Sequence, residues 1–92
     1  MPRPRKGRRI RWRANANYFK PRGIPMRDLD EVDLIMEEIE SLRLKDFLGL
    51  DQIEAAKKMN ISQSTFQRIL TSARKKVAQA LVNGEALKIN KE

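Results

Sequence analysis

Between Ser62 and Val82 the apolar residues Phe66, Ile69, Leu70, Ala73, Val77, Ala80 and Leu81 recur at spacings of three and four. That is the period of one buried helical face. Ser62 can cap such a helix, and Asn83-Gly84 supplies its stop. About 20 residues at 1.5 Å each make a helix roughly 30 Å long. A compact three-helix unit requires less, so the second half of this helix must pack on something else. No proline occurs after Pro25, so from about Glu31 onward the chain is expected to be helical.

Two shorter helices precede the long one. The first is expected from about Met36 to Leu48, with Ile39, Leu42, Phe47 and Leu48 as buried candidates and Gly49 as its stop. The second begins at Asp51, where Glu54 three residues on completes a capping box, and ends near Asn60. Small Ala55 and Ala56 allow close helix approach, and Ile61 can plug the turn Met59–Ser62. A short helix, a tight turn and a capped helix are the parts of a helix-turn-helix. A plain helical bundle with a tight corner has the same parts.

The charge is unevenly placed. The chain has 92 residues and net charge +8. Residues 1–27 carry +10, residues 28–60 carry −6, and residues 61–92 carry +4. This divides the chain into a basic arm with an extended linker (1–27) and a helical domain with a C-terminal tail (28–92). A basic excess of this size points to a polyanionic partner. There is no cysteine and no histidine, which excludes disulfides, thiolate and imidazole chemistry and most transition-metal sites. No nucleophile–base pair can be assembled, so no enzyme, no catalytic residue, no metal and no cofactor are expected. Asp28, Asp30, Glu31 and Asp33 fail as a calcium loop, because Asp33 stands where glycine is needed and Ile39 where the bidentate glutamate is needed. No apolar run suits a secretory signal or a membrane span, so the cytoplasm, alongside the nucleoid, is the expected location and a membrane is not an expected partner.

In the arm, Arg9-Ile10-Arg11-Trp12-Arg13 alternates strictly, as does Leu87-Lys88-Ile89 near the other end. These two runs are expected to pair as a short β ribbon, within one chain or between two. The fold class expected is therefore mainly α: a helix-turn-helix domain of three helices with a long third helix, plus a short ribbon from the N- and C-terminal segments. Disorder of the arm is the alternative.

Gly49 to Leu70, continued by Ala73-Arg74-Lys75-Lys76-Val77, resembles the helix-turn-helix of sigma-factor region four. The whole chain resembles a prokaryotic family of predicted DNA-binding proteins, uncharacterised protein family 0251. The resemblance rests on Arg3-Pro4-Arg5-Lys6, Tyr18-Phe19-Lys20-Pro21, Gly23-Ile24-Pro25, Glu40-Ser41-Leu42-Arg43-Leu44, Ala80-Leu81-Val82-Asn83-Gly84 and Ala86-Leu87-Lys88-Ile89. Relatives often carry cysteines near the positions of Gly7 and Arg11, which this chain lacks. They also often have Arg-Pro where Gln63-Ser64 stands and glycine where Gln67 stands, so a shared DNA target is not implied.

The resemblance implies that the third helix (63–82) enters the major groove. Its outward residues Gln63, Ser64, Thr65, Gln67 and Arg68 are then the base-reading candidates, since Gln pairs with adenine and Arg with guanine by two hydrogen bonds. Phosphate candidates are Arg3, Arg5, Lys6, Arg8, Arg9, Arg11 and Arg13 of the arm, with Thr71, Arg74 and Lys75 of the helix. The arm could equally lie in a narrow minor groove. The partner expected is double-stranded DNA bound by a homodimer, the protein acting as a transcriptional regulator. The dimer interface is expected at Val77, Leu81, Leu87 and Ile89, with exposed Ile53 as a second candidate. The alternatives are an RNA- or ribosome-associated structural protein, and a sigma-like module that contacts the transcription machinery.

Overall fold

The computed structural model describes residues 9–11 and 18–90. Strand β1 is Tyr18–Phe19, β2 is Glu31–Ile35 and β3 is Ala86–Asn90. Helix α1 is Met36–Leu42, α2 is Gln52–Lys58 and α3 is Gln63–Asn83. One 3₁₀ turn, Met26–Asp28, precedes β2, and a widened π turn, Arg43–Phe47, continues α1. The fold is mainly α with a small three-stranded sheet.

β3 lies in the centre of the sheet, antiparallel to β1 and parallel to β2. Tyr18 faces Lys88 and Phe19 faces Leu87; on the other side the register runs from Glu31–Ala86 to Ile35–Asn90. The parallel pair is possible because all three helices lie between its strands and form the crossover. β2 corrects the helical expectation from Glu31 onward. Its acids Glu31 and Asp33 point outward while Val32 and Leu34 are buried, the two-residue period of a half-buried strand.

The ribbon is also corrected in its pairing. Leu87–Ile89 is in a strand, but its antiparallel partner is Tyr18–Phe19, inside the expected linker. Arg9–Arg11 forms no strand, and Trp12 and Arg13 lie outside the described residues. The chain turns back after β1 through Gly23, whose φ of 81° suits glycine, while Lys20 Nζ donates to the Ile24 carbonyl at 2.6 Å.

α1 and the π turn span the expected first helix and end before Gly49, which has φ 78°. Their burial differs from expectation. Ile39 and Leu42 are half-buried, Phe47 is 82% exposed and Leu48 is 49% exposed. Leu44 is buried instead, together with Glu37, Glu38, Glu40 and Ser41. The Leu48 N–H reaches back five residues to the Arg43 carbonyl at 2.8 Å. Leu44 follows Glu37, Glu40 and Ser41 at spacings of seven, four and three, so the buried face of α1 is this one and not the face of Ile39 and Leu42.

Leu44, Ala55, Ala56, Met59, Phe66 and Leu70 form the helical core, with Leu42, Leu50 and Ile61 packed against it. The second half of α3 buries Ala73 and Ala80, and the sheet buries Val32, Leu34, Ala86 and Ile89. The sheet is thus the partner that the extra length of α3 required.

Candidate nucleic-acid interface

The candidate surface is built on α2, the turn Met59–Ser62 and α3. The Asp51 carboxylate accepts the Glu54 N–H at 2.7 Å and starts α2. Ala55 and Ala56 have no side chain to hold the helices apart, and both are buried. Met59 is fully buried beneath the turn, and Asn60 takes the left-handed conformation, φ 59°. The Ile61 N–H donates back to the Ala56 carbonyl at 3.1 Å, closing the end of α2. Ser62 Oγ then accepts the Thr65 N–H at 3.2 Å and opens α3. Gln52 Nε2 bridges the two helices by donating to the Gln63 carbonyl at 3.4 Å.

Phe66 and Leu70 point into the core, and this fixes what the first turns of α3 present outward. Gln63, Ser64, Gln67, Arg68 and Thr71 are all exposed. Thr65 is only half-exposed, and its hydroxyl accepts from Ser62 Oγ at 2.9 Å, so it serves the cap. Gln67 Nε2 donates to Thr71 Oγ1 at 3.3 Å, which ties these two side chains along the helix. No acidic residue lies between Ile61 and Leu81, and the positive end of the α3 dipole adds to the local field.

The end of the arm docks at this turn. The Arg9 N–H donates to the Met59 carbonyl at 3.1 Å. The Arg11 N–H donates to Glu40 Oε2 at 3.2 Å, and both arginines are exposed. Buried Glu40 also holds Arg43 by two bonds, 2.8 and 3.0 Å, and this ion pair raises the Arg43 pKa. Glu40 therefore gathers two segments, the arm and the start of the π turn. Arg3, Arg5, Lys6, Arg8 and Arg13 lie outside the described residues.

Arg74 sits elsewhere in this network. Its guanidinium grips Asp46 through two bonds, 2.6 and 3.0 Å, bracing α3 against the π turn. Arg74 hydrogen bonding holds the Asp46 carboxyl below its ordinary value, and Asp46 in turn raises Arg74. Lys75 is exposed, while Lys76 Nζ reaches buried Glu38 Oε1 at 2.9 Å. Lys57 and Lys58, in the last turn of α2, are exposed basic residues next to the turn that sequence reasoning passed over. Two adjacent lysines ending a short helix were the signal available.

Of the expected interface residues, Leu81 is 77% exposed, and Val77 and Leu87 are half-buried. Ile89 is buried within the chain against its own fold, so it is not available to a second copy. Ile53 is 57% exposed. Among the described residues no group of His, Cys, Asp and Glu is arranged to hold a metal ion, and no helix is long and apolar enough to cross a membrane.

A family model described as "Protein of unknown function DUF134" matches residues 1–91. A UPF0251 protein of Halothermothrix orenii is 54% identical over 88 residues, 96% of this chain and 65% of the relative. One from Desulforudis audaxviator is 56% identical over 89 residues, 97% of this chain and 58% of the relative. One from Dehalococcoides mccartyi is 60% identical over 89 residues, 97% and 76% respectively. The chain thus spans 58–65% of the length of the first two. No solved structure matches it significantly.

Proposed function

The chain belongs to the DUF134 family, and we propose that it binds double-stranded DNA sequence-specifically, through a sigma-region-four-like helix-turn-helix, as a regulator of transcription. The observation that carries this reading is the surface at the α2–α3 turn. Gln63, Ser64, Gln67 and Arg68 project from the first turns of α3, and the Arg9 N–H donates to the carbonyl of Met59 beside them. A helix end presenting two glutamines and an arginine, without an acid, matches the donor and acceptor pattern of major-groove edges. Exposed Lys57, Lys58, Arg9 and Arg11 supply cations around it for phosphates. α3 is held rigidly from both sides, by Asp46 through Arg74 and by Glu38 through Ser72 and Lys76. Rigid support of the reading helix is what a two-point base contact requires.

The test is selection of bound duplexes from a random pool with RNA present as competitor. Enrichment of a defined duplex motif is the expected result. Retention on RNA with no enriched duplex would overturn the proposal in favour of an RNA-associated protein.

A further inference from the structure

We propose that buried Glu40 is a positioning residue for the DNA contact: it fixes the backbone of residues 9–11 beside the α2–α3 turn and so presents the guanidinium groups of Arg9 and Arg11 to phosphates. This rests on the DNA-binding reading and deepens it, because it makes a buried acid a requirement for binding a polyanion.

The first step is carried by main-chain bonds. The Arg9 N–H donates to the Met59 carbonyl at 3.1 Å, and the Arg11 N–H donates to Glu40 Oε2 at 3.2 Å. At the end of α2 the carbonyls of Ala55, Ala56 and Lys57 accept from Met59, Ile61 and Asn60. Arg9 supplies the donor for the next one, the carbonyl of fully buried Met59. The segment is therefore held at two points, on α2 and on α1, without using a side chain for either. Arg9 and Arg11 are exposed, and among the described residues neither guanidinium has an acceptor. Two residues span at most about 7 Å, so both side chains can reach the backbone of one strand. Met59 precedes Gln63 by four residues, which places Arg9 at the turn from which α3 starts.

The second step is carried by charge. A carboxylate beside a surface that binds phosphates ordinarily weakens the binding. Glu40 is 1% exposed, and its charge is taken up by Arg43, whose Nε and Nη2 donate to Oε1 and Oε2 at 2.8 and 3.0 Å. The pair is neutral as a unit, yet Oε2 keeps the strength of an ionised acceptor for the Arg11 N–H. A neutral acceptor would hold the segment less firmly, and an exposed acid would hold it and repel DNA. Fixing these residues before DNA arrives takes their ordering cost out of the binding step.

The test uses the full chain in competition binding to the selected duplex over a range of salt. Glu40→Met keeps the length of the side chain, removes both acceptor oxygens and raises the net charge by one. Charge alone predicts tighter binding. Positioning predicts the reverse: affinity about tenfold lower, and a slope of log affinity against log salt reduced by up to about 2 as two phosphate contacts are lost. In a chain carrying Arg9→Ala and Arg11→Ala, the same Glu40→Met change should no longer weaken binding, whereas a general loss of structure would weaken it there too. Should Glu40→Met fail to fold by circular dichroism, a chain made by chemical ligation with an ester for the Ile10–Arg11 amide keeps every side chain and lacks only the Arg11 N–H. It should bind about threefold or more weakly than wild type. A folded Glu40→Met protein that binds as tightly as wild type or tighter, a loss undiminished in the Arg9 and Arg11 background, or an ester chain equal to wild type overturns the positioning role and leaves the DNA reading standing. A wild type without affinity for any duplex overturns the DNA reading itself, and this role with it.

Discussion

Glu38→Gln is the perturbation that best tests how α3 is held. Glu38 is 4% exposed, and its carboxylate accepts three hydrogen bonds from two elements: Ile35 N–H of β2 at 3.1 Å, and Ser72 Oγ at 2.6 Å and Lys76 Nζ at 2.9 Å, both of α3. It joins the β2–α1 junction to the middle of α3. A hydrogen bond to a charged group contributes about 1.5–3 kcal/mol. Glutamine keeps one acceptor oxygen, so part of the network survives. Lys76 is one-third exposed and can turn its ammonium into water. The larger loss of about 3–5 kcal/mol for a fully buried broken pair therefore does not apply in full. The expected cost is about 2 kcal/mol, against a total of roughly 5–14 kcal/mol for a chain of this length. In urea, followed by circular dichroism, the midpoint should fall by about 1–2 M with an unchanged slope. Lys76→Met should cost more, about 3 kcal/mol, because it leaves the carboxylate buried without its cation. The double variant should then be less damaged than the two single losses combined, by at least about 1 kcal/mol. A Glu38→Gln protein within about 0.5 kcal/mol of wild type, with additive losses in the double variant, would refute the reasoning.

Other expectations concern the arm, the exposed ion pair and the reading face. Removing residues 1–8 deletes Arg3, Arg5, Lys6 and Arg8 but keeps the Arg9 N–H docked on Met59. The slope of log affinity against log salt should then fall by up to about 3–4 if each cation meets a phosphate, and an unchanged slope denies the arm that role. Asp46→Asn should cost only a few tenths of a kcal/mol at pH 7, since Asp46 and Arg74 are 42% and 50% exposed. Arg74 lowers the Asp46 pKa in the fold, so this contribution is complete above the unfolded value near 3.9 and is lost as pH falls through the lower folded value. Urea titrations of both proteins should converge in acid; divergence there would contradict the sign. Gln67→Ala should lose on the order of 1–3 kcal/mol on the selected duplex and little on random DNA, measured by competition binding. Equal losses on both would show that Gln67 does not read bases.

The parts of the fold that could be read from the sequence are those specified by neighbours in the chain. Asp51 and Ser62 cap α2 and α3, and Gly84, with φ 67°, stops α3. The stripe of α3 is largely right because a 21-residue helix repeats its signal several times. Leu81 ends that stripe but is exposed, since the sheet covers Ala80 and leaves Leu81 outside. β2 escaped because its partner β3 lies more than fifty residues further on, with three helices between. A five-residue strand with two acids also looks like the start of an acidic helix. β1 is two residues long, and only the presence of β3 makes it a strand. The candidate site divides in the same way. Exposure of Gln63, Gln67 and Arg68 follows from helical phase once Phe66 and Leu70 are inside. The commitment of Arg74 to Asp46 depends on where the π turn points, which no local pattern states.

The π turn also changes what the acidic middle of the chain is for. Taken as a solvated face, residues 28–60 would spread negative charge beside the basic surfaces and weaken their attraction for a polyanion. The fold buries three of the ten acids of this stretch, Glu37, Glu38 and Glu40, and pairs Asp46 with a cation. Glu38 is buried against Ser72 and Lys76, Glu40 against Arg43 and the Arg11 N–H, and Asp46 is paired with Arg74. Each of these carboxylates holds a basic segment in place from behind: α3 twice, the arm once. Asp28, Asp30, Glu31 and Asp33 stay exposed, but on β2 and the segment before it, in or beside the sheet that packs on the far half of α3. The basic side chains at the α2–α3 turn consequently keep their outward field, since surface charges beyond about 10 Å are screened at ordinary salt. Two acids remain exposed near the proposed reading end, Glu54 on α2 and the capping Asp51. Glu54→Gln should therefore tighten binding to any duplex modestly and equally, with the ratio of affinities for selected and random DNA unchanged. A change in base preference from Glu54→Gln would make it a contact residue and move the reading surface onto α2.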